Sequence, residues 1–405
     1  MTKKHIEKSE SFIVDKSLLL ILFVFMVTSL VAIYASAPHI GGDATHHVVM
    51  QTIFFIVSFA ILIFICLWGI DRVFILLKYI YAVLLVMMIL LLVDKYGIFQ
   101  VPFVSPVNWT WAWYHFPGVS FQPSEFMKIV LVLMSARTIH QHNLQKEKNS
   151  FNEDFKLFAK IGSYTLPVLI LNFLQPDTGV PLIMVISILV MLLVSGIRRE
   201  WFFIIGIVFV VGYFGIIYIY HNHIDLLSNL FGSSYRLDRF YAWLDYEKYK
   251  QSVGYQLYRS IVSLGSAGTQ GLGFDGASLG IPAAHTDFIF AVFGSTFGFF
   301  GSVYLILLCL TLDVKLIMIA YRSRNDVGRY ALVGIVGIFV YQQLQNIGMM
   351  IGLLPITGIT LPLISYGGSS LLSYMIGLSV AFSLSSETAN NPNYEDQQVP
   401  LRELE

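Results

Sequence analysis

Three carboxylates and one ammonium group stand beside apolar runs of this chain, and each is a candidate for chemistry. Asp287 sits in Ile281-Pro-Ala-Ala-His-Thr-Asp287-Phe-Ile-Phe290, and no further acid follows until Asp313. A partly desolvated carboxylate takes its charge balance from a neighbouring cation or a divalent metal, which is how a general base or a metal ligand is made. A helix cap is the plainer use of the same residue. Glu125 and Lys128 lie three residues apart in Gln122-Pro-Ser-Glu-Phe-Met-Lys128, on one face of a helix whose first turn suits Pro123. A lysine at a membrane surface is a ligand for a lipid pyrophosphate, whereas a local Glu–Lys pair by itself contributes little. Asp177, in Gln175-Pro-Asp-Thr-Gly179, either caps the helix after the Pro/Gly turn or serves the same site, and one carboxylate can do both. The run Ile364-Ser-Tyr-Gly-Gly-Ser-Ser370, with Ser365 and Ser369, offers hydroxyls and backbone N–H groups to an anion. Gln342, Gln345 and Asn346 just before it are of the kind that joins helices.

The elements that must position these groups follow from the solvent. Hydrophobic residues make up 56% of the 405 and charged residues only 12%, against roughly 25% in a soluble domain. A net charge of zero gives no field for nucleic acid. Cys66 and Cys309 both fall inside apolar runs, as small buried hydrophobes and not a disulfide framework or zinc site. A bilayer core needs about 20 apolar residues per helix. Ten runs qualify, near Ser17–Ala37, Val49–Ile70, Val73–Val93, Pro123–His140, Ile161–Leu174, Gly179–Ile197, Trp201–Tyr220, Thr286–Leu312, Tyr330–Leu354 and Ser369–Leu384. The expected architecture is an all-α integral membrane bundle over residues 17–385. A basic tail, residues 1–16, precedes a retained first helix, and residues 386–405 form an acidic, unstructured tail. Cytoplasmic loops retain Lys and Arg, and with the amino terminus inside, 18 of the 25 basic residues fall on that side, so both termini are cytoplasmic.

Two outside segments stand out. Asp94–Phe121 carries Trp109, Trp111, Trp113, Tyr114 and His115, a pattern equally suited to an interfacial aromatic belt. The loop 221–285, between the seventh and eighth helices, is too long for a simple connector. It mixes packing aromatics with charge in Tyr235-Arg-Leu-Asp-Arg-Phe-Tyr-Ala-Trp-Leu-Asp245 and then runs through the Gly-rich Gly265–Gly273.

In this order these segments resemble the SEDS family (shape, elongation, division and sporulation proteins), whose best-known members are RodA and FtsW. The likeness runs from Asp15 to Leu384 and rests on FQPSEFMKI, LQPD, the R-x-x-R-F-x-A-W-L-D segment, GYQ with the Gly-rich run, HTDFIFAV, and NIGM through GLLPITGITLPLISYGGSS. The short amino terminus is more similar to RodA. The resemblance implies a glycosyltransferase of the bacterial cytoplasmic membrane that polymerises lipid II into glycan strands on the outer face, releases undecaprenyl pyrophosphate and works with a class B penicillin-binding protein in elongation or division. It implies that Asp287 deprotonates the acceptor 4-hydroxyl, directly or through Mg or Mn. Lys128 would meet the pyrophosphate, with Glu125 and Asp177 beside it and Arg236 and Arg239 as further contacts. A lipid-linked precursor transporter and an inactive scaffold recruiting a transpeptidase are the alternatives. The family's usual Pro-Glu before HTDF and Glu-Glu pair after it are replaced here by Ala283 and Ser295-Thr296, and its Gly-Ser-Gly-Gly by Gly265-Ser-Ala-Gly268. Fewer acids near Asp287 should lower its pKa and weaken a metal site.

Overall fold

Hydrocarbon offers no hydrogen bonds, so a chain this apolar settles into helices that satisfy their own backbone groups. The computed structural model describes residues 12–41, 43–107, 110–177, 179–222, 239, 241–274, 276 and 280–390. The elements run α1 (Lys16–Ala35), α2 (Thr45–Trp68), α3 (Ile70–Lys95), a hairpin of β1 (Tyr114–Phe116) and β2 (Val119–Phe121), α4 (Pro123–Gln145), α5 (Phe151–Leu174), α6 (Gly179–Leu193), α7 (Glu200–Asn222), α8 (Tyr255–Ser266), α9 (Ile289–Arg322), α10 (Asp326–Met350) and α11 (Gly368–Asn390). Among the described residues, eight of these helices are long and apolar enough to cross a membrane. α6 is apolar but only 15 residues long. α4, which carries Glu125, Lys128 and Arg137, is instead enclosed by its neighbours over most of its length. The molecule is a mostly helical, multi-pass membrane protein with one short hairpin.

Side-chain caps explain several helix starts. Asp15 accepts from the backbone N–H groups of Ser17 and Leu18, Ser150 from that of Glu153, and Asn325 from that of Gly328, each satisfying an otherwise orphaned donor. The loops fall on two faces. On the first, Ser369 joins the hairpin through Ser120 and Gln122, and His39 accepts from the Ile281 N–H. On the second, Asp15 pairs with Lys315 at 2.8 Å and accepts from the Ser385 hydroxyl, while the Ile13 N–H reaches Ser386. The two described ends of the chain therefore share the second face.

Several boundaries differ from the sequence-based expectation. α5 starts at Phe151, ten residues before the predicted Ile161, because Ser150 provides a cap. α11 continues to Asn390, through the start of the tail expected to be unstructured, held by Ser385, Ser386 and an Asn325–Glu387 hydrogen bond. The larger change is in α9. Gly298 breaks it with φ 68° and ψ −158°, a conformation essentially reserved for glycine. Residues 289–296 are buried on all sides, whereas 299–322 alternates buried and exposed positions with helical period. The second piece, at about 1.5 Å per residue, is long enough to cross the bilayer alone. The Gly-rich run fills the break. Leu272 and Gly273 donate to the carbonyls of Ser295 and Thr296, and the Phe299 N–H donates to Gly268.

A Cβ at Gly298 would lie 2.3 Å from the Gly271 nitrogen, while one at Gly265 meets nothing. Gly298→Ala is expected to destabilise the protein by about 3 kcal/mol or more, read as a lower unfolding temperature in detergent. Gly265→Ala should leave that temperature unchanged.

Candidate functional site

Three consecutive carbonyls hold the segment before α9. Tyr366 N–H donates to His285 O (2.9 Å), Ser365 Oγ to Thr286 O (2.7 Å) and Asn346 Nδ2 to Asp287 O (2.7 Å). The second hydrogen of the Asn346 amide goes to Ile359 O, also at 2.7 Å, so a single α10 side chain ties the Asp287 backbone to the α10–α11 loop. Ala283, held at a positive φ of 52°, turns the chain tightly, and its carbonyl receives the N–H groups of Thr286 and Phe288. With its backbone fixed in this way, the Asp287 side chain lines a cavity of about 720 Å³ on the hairpin face.

The cavity also takes in Glu125, Asp177, Arg239, Ser369 and Gln342. Asp287 and Arg239 converge over Gly358: a Cβ there would stand 3.5 Å from Asp287 Oδ2 and 3.9 Å from both terminal guanidinium nitrogens. Arg239 is itself directed by a 2.8 Å hydrogen bond to Ile356 O, and nearby Trp243 Nε1 donates to Gly352 O. Asp177 is a cap and also lines the cavity. It caps α6 by accepting from Gly179 and Val180, and its other oxygen accepts from Gln122 Nε2 at 3.3 Å on the cavity wall.

Burial in this low-dielectric site pushes the Asp287 carboxyl up to about 7, with the Arg239 charge acting against the rise. Asp177 is raised to about 6 by burial, with Glu125 adding to the shift and its capping N–H groups opposing it. Ser295 and Thr296 do not set this balance. Both are buried, donate to the Val292 carbonyl and lie outside the cavity lining.

Two of the predicted site residues lie away from the cavity surface. Lys128, expected at the membrane surface, is 0% exposed and absent from the cavity lining. Its ammonium group lies 2.6 Å from Glu125 Oε2 and 4.3 Å from the centre of the Tyr374 ring, so it supports the cavity floor from beneath. Ser365 is likewise buried and structural, donating to Thr286 O and accepting from the Leu361 N–H. Ser369 does line the cavity, while its hydroxyl bonds to Ser120 O and Gln122 N–H. Arg236 and Trp109 lie outside the described residues. Trp113 and His115, two of the five residues in the run that also suited a membrane belt, line the cavity wall. Asn346 and Gln342, read from the sequence as helix glue, turn out to clamp and line the site; their i, i+4 spacing on one helix face was the available signal.

The donor set does not form a metal cage. Among the described residues no three His, Cys, Asp or Glu side chains gather closely enough to hold an ion, and Asp287 faces the cation of Arg239. A divalent ion here would have Asp287 as a ligand and substrate oxygens as the rest, the usual manner of Mg²⁺.

Fold and cavity together define a polytopic helical membrane protein with a charged, one-sided pocket. Residues 10–390 match the FtsW/RodA/SpoVE family of cell cycle proteins, and the chain belongs to that family. It is 32% identical to the probable peptidoglycan glycosyltransferase FtsW of Coxiella burnetii, covering 77% of this chain and 79% of that protein. It is 31% identical to the peptidoglycan glycosyltransferase MrdB of Escherichia coli K12, covering 67% and 70%. A chain from a peptidoglycan synthase complex, described as coordinating polymerization and crosslinking, superposes with a TM-score of 0.74 over 93% of this chain and 99% of its own length; at 24% identity this likeness shows the fold.

Replacing Asn346 by Leu would leave two buried carbonyls without a donor, at a cost of about 3 kcal/mol. Faster amide exchange confined to 283–288 and 355–361 is the expected result. Unchanged exchange there would remove Asn346 from its role as clamp.

Proposed function

We propose that the cavity is the active site of a peptidoglycan glycosyltransferase, the activity named for the curated relatives, and that it polymerises lipid II at the outer face of the cytoplasmic membrane. The second face, with Lys315, Arg322, Arg324 and Arg329, is the cytoplasmic one by the retention of basic residues, which puts the hairpin face and the cavity outside and both termini inside. The observation that carries the reading is the convergence of Asp287 and Arg239 over Gly358.

Asp287, with a pKa near neutrality, is matched to accept the proton of the acceptor sugar hydroxyl. The freed oxygen attacks C1 of the second, lipid-linked sugar from the face opposite the phosphate, the C1–oxygen bond breaks, and undecaprenyl pyrophosphate departs with inversion. Arg239 is placed to neutralise the leaving pyrophosphate. Lys128 contributes indirectly, by keeping the Glu125 carboxylate fixed at the floor. A divalent ion bound with the pyrophosphate would add charge neutralisation at the same oxygens. A class B penicillin-binding protein that cross-links the product is the partner that fits this chemistry, in elongation or division. A broken helix and a buried charge pair are also features of transporters. Here the backbone groups around the α9 break are bonded by residues 268–273, so they do not form a substrate site.

Purified protein should polymerise lipid II, and Asp287→Asn should lower the rate at least about a hundred-fold, the usual contribution of a general base, while still inserting in membranes. Because the base form appears as pH rises through its pKa, activity should increase through about pH 7. Arg239→Gln removes a charge that favours the carboxylate, so the acidic limb should move up by about one pH unit. A pH profile that Arg239→Gln does not displace would separate Arg239 from Asp287, and full activity in Asp287→Asn would end the general-base assignment.

A further inference from the structure

Two oxygens on the cavity wall have no partner. Gln342 is 1% exposed, lines the cavity and gives its Nε2 to the Tyr374 hydroxyl at 2.8 Å, which leaves its Oε1 buried and without a hydrogen bond. Thr357 lines the same cavity, and its Oγ1 is buried and unpaired as well. Folded proteins leave few buried polar atoms unsatisfied, since each costs about 1–3 kcal/mol. His115, which lines the same cavity, adds an unpaired Nε2, and such a gathering points to a ligand that completes it.

The chemistry of the pair narrows the ligand. With one amide N–H given to Tyr374, Gln342 has an unpaired acceptor that demands a donor; Thr357 presents a hydroxyl that can donate. A phosphate diester has no hydrogen to offer Gln342, and a sugar hydroxyl serves both side chains only by placing one oxygen within reach of both. An acetamido group supplies both functions side by side, N–H for Gln342 and C=O for Thr357. Position narrows it further. Thr357 adjoins Gly358, over which the Asp287 carboxylate lies, and Gln342 is one helical turn from Asn346, which holds the Asp287 carbonyl. On the glycosyltransferase reading above, we infer that Gln342 and Thr357 recognise the acetamido group of the acceptor sugar, the one whose hydroxyl Asp287 deprotonates. Acceptor and donor then meet around Gly358, where the guanidinium of Arg239 stands for the pyrophosphate of the donor.

The test is a competition between lipid II and an analogue whose terminal sugar carries a hydroxyl in place of the acetamido group. The wild-type protein should incorporate lipid II over the analogue by about ten-fold or more, as loss of one or two hydrogen bonds from a built site requires. Gln342→Leu and Thr357→Val should each bring that ratio down toward one, through KM for the acceptor rather than kcat, and Thr357→Ser should restore it. Because Gln342→Leu also removes the donor to Tyr374, Thr357→Val decides the matter if the first variant does not fold. An undiminished ratio in the Val variant would overturn the acetamido assignment while leaving the glycosyltransferase intact. Absence of polymer from lipid II with the wild-type protein would overturn the parent reading and this inference with it.

Discussion

The pinning of three successive carbonyls, from His285 to Asp287, is the constraint on which the rest of the site depends. A short loop at the edge of hydrocarbon must find partners for its backbone or fold differently. Here α10 and the α10–α11 loop provide them through Asn346, Ser365 and Tyr366. Once the main chain is held at those points, the direction of the Asp287 side chain follows, as does the approach of the loop that carries Gly358. Every polar residue in this clamp serves geometry, and it leaves the cavity to groups that can act on a ligand.

Charge is arranged in two tiers. Arg239 lies in the cavity with Asp287, Asp177 and Glu125, while Lys128 is sealed below, between Glu125 and the Tyr374 ring. A buried ion pair contributes little net stability when weighed against a well-packed apolar replacement. Breaking it, however, would strand a charge in the interior; both members belong to α4, and the contact of the Lys128 ammonium with the Tyr374 ring ties that helix to α11.

Much of this was legible in the residues themselves. Apolar run length gives the helical membrane architecture, and Pro and Gly mark the turns at Gln122–Pro123 and Gln175–Gly179. Asp287, Asp177 and Glu125 could be singled out because a carboxylate beside hydrocarbon needs a reason. The depth of Lys128 was not legible: a lysine three residues after a glutamate reads the same at an interface as inside, and only the packing of Tyr374 from a distant helix separates the two. Nor was the break in α9, since Gly298 is one glycine among several in an apolar stretch and the backbone that bonds across the break comes from the loop ahead of it. The raised pKa of Asp287 follows from enclosure by elements remote in the chain, a quantity that neighbouring residue types do not report.

That break in α9 also has a mechanical meaning. The lipid-facing rod, 299–322, must tilt or shift with bilayer thickness, as any spanning helix does. A continuous helix would carry such movement straight to the carboxylate at its tip. Because Gly298 interrupts the helical ladder and the leading segment is embedded wholly in protein, the acid is registered to its own walls and not to the rod that faces lipid, a form of vibration isolation for a site beside a deformable medium.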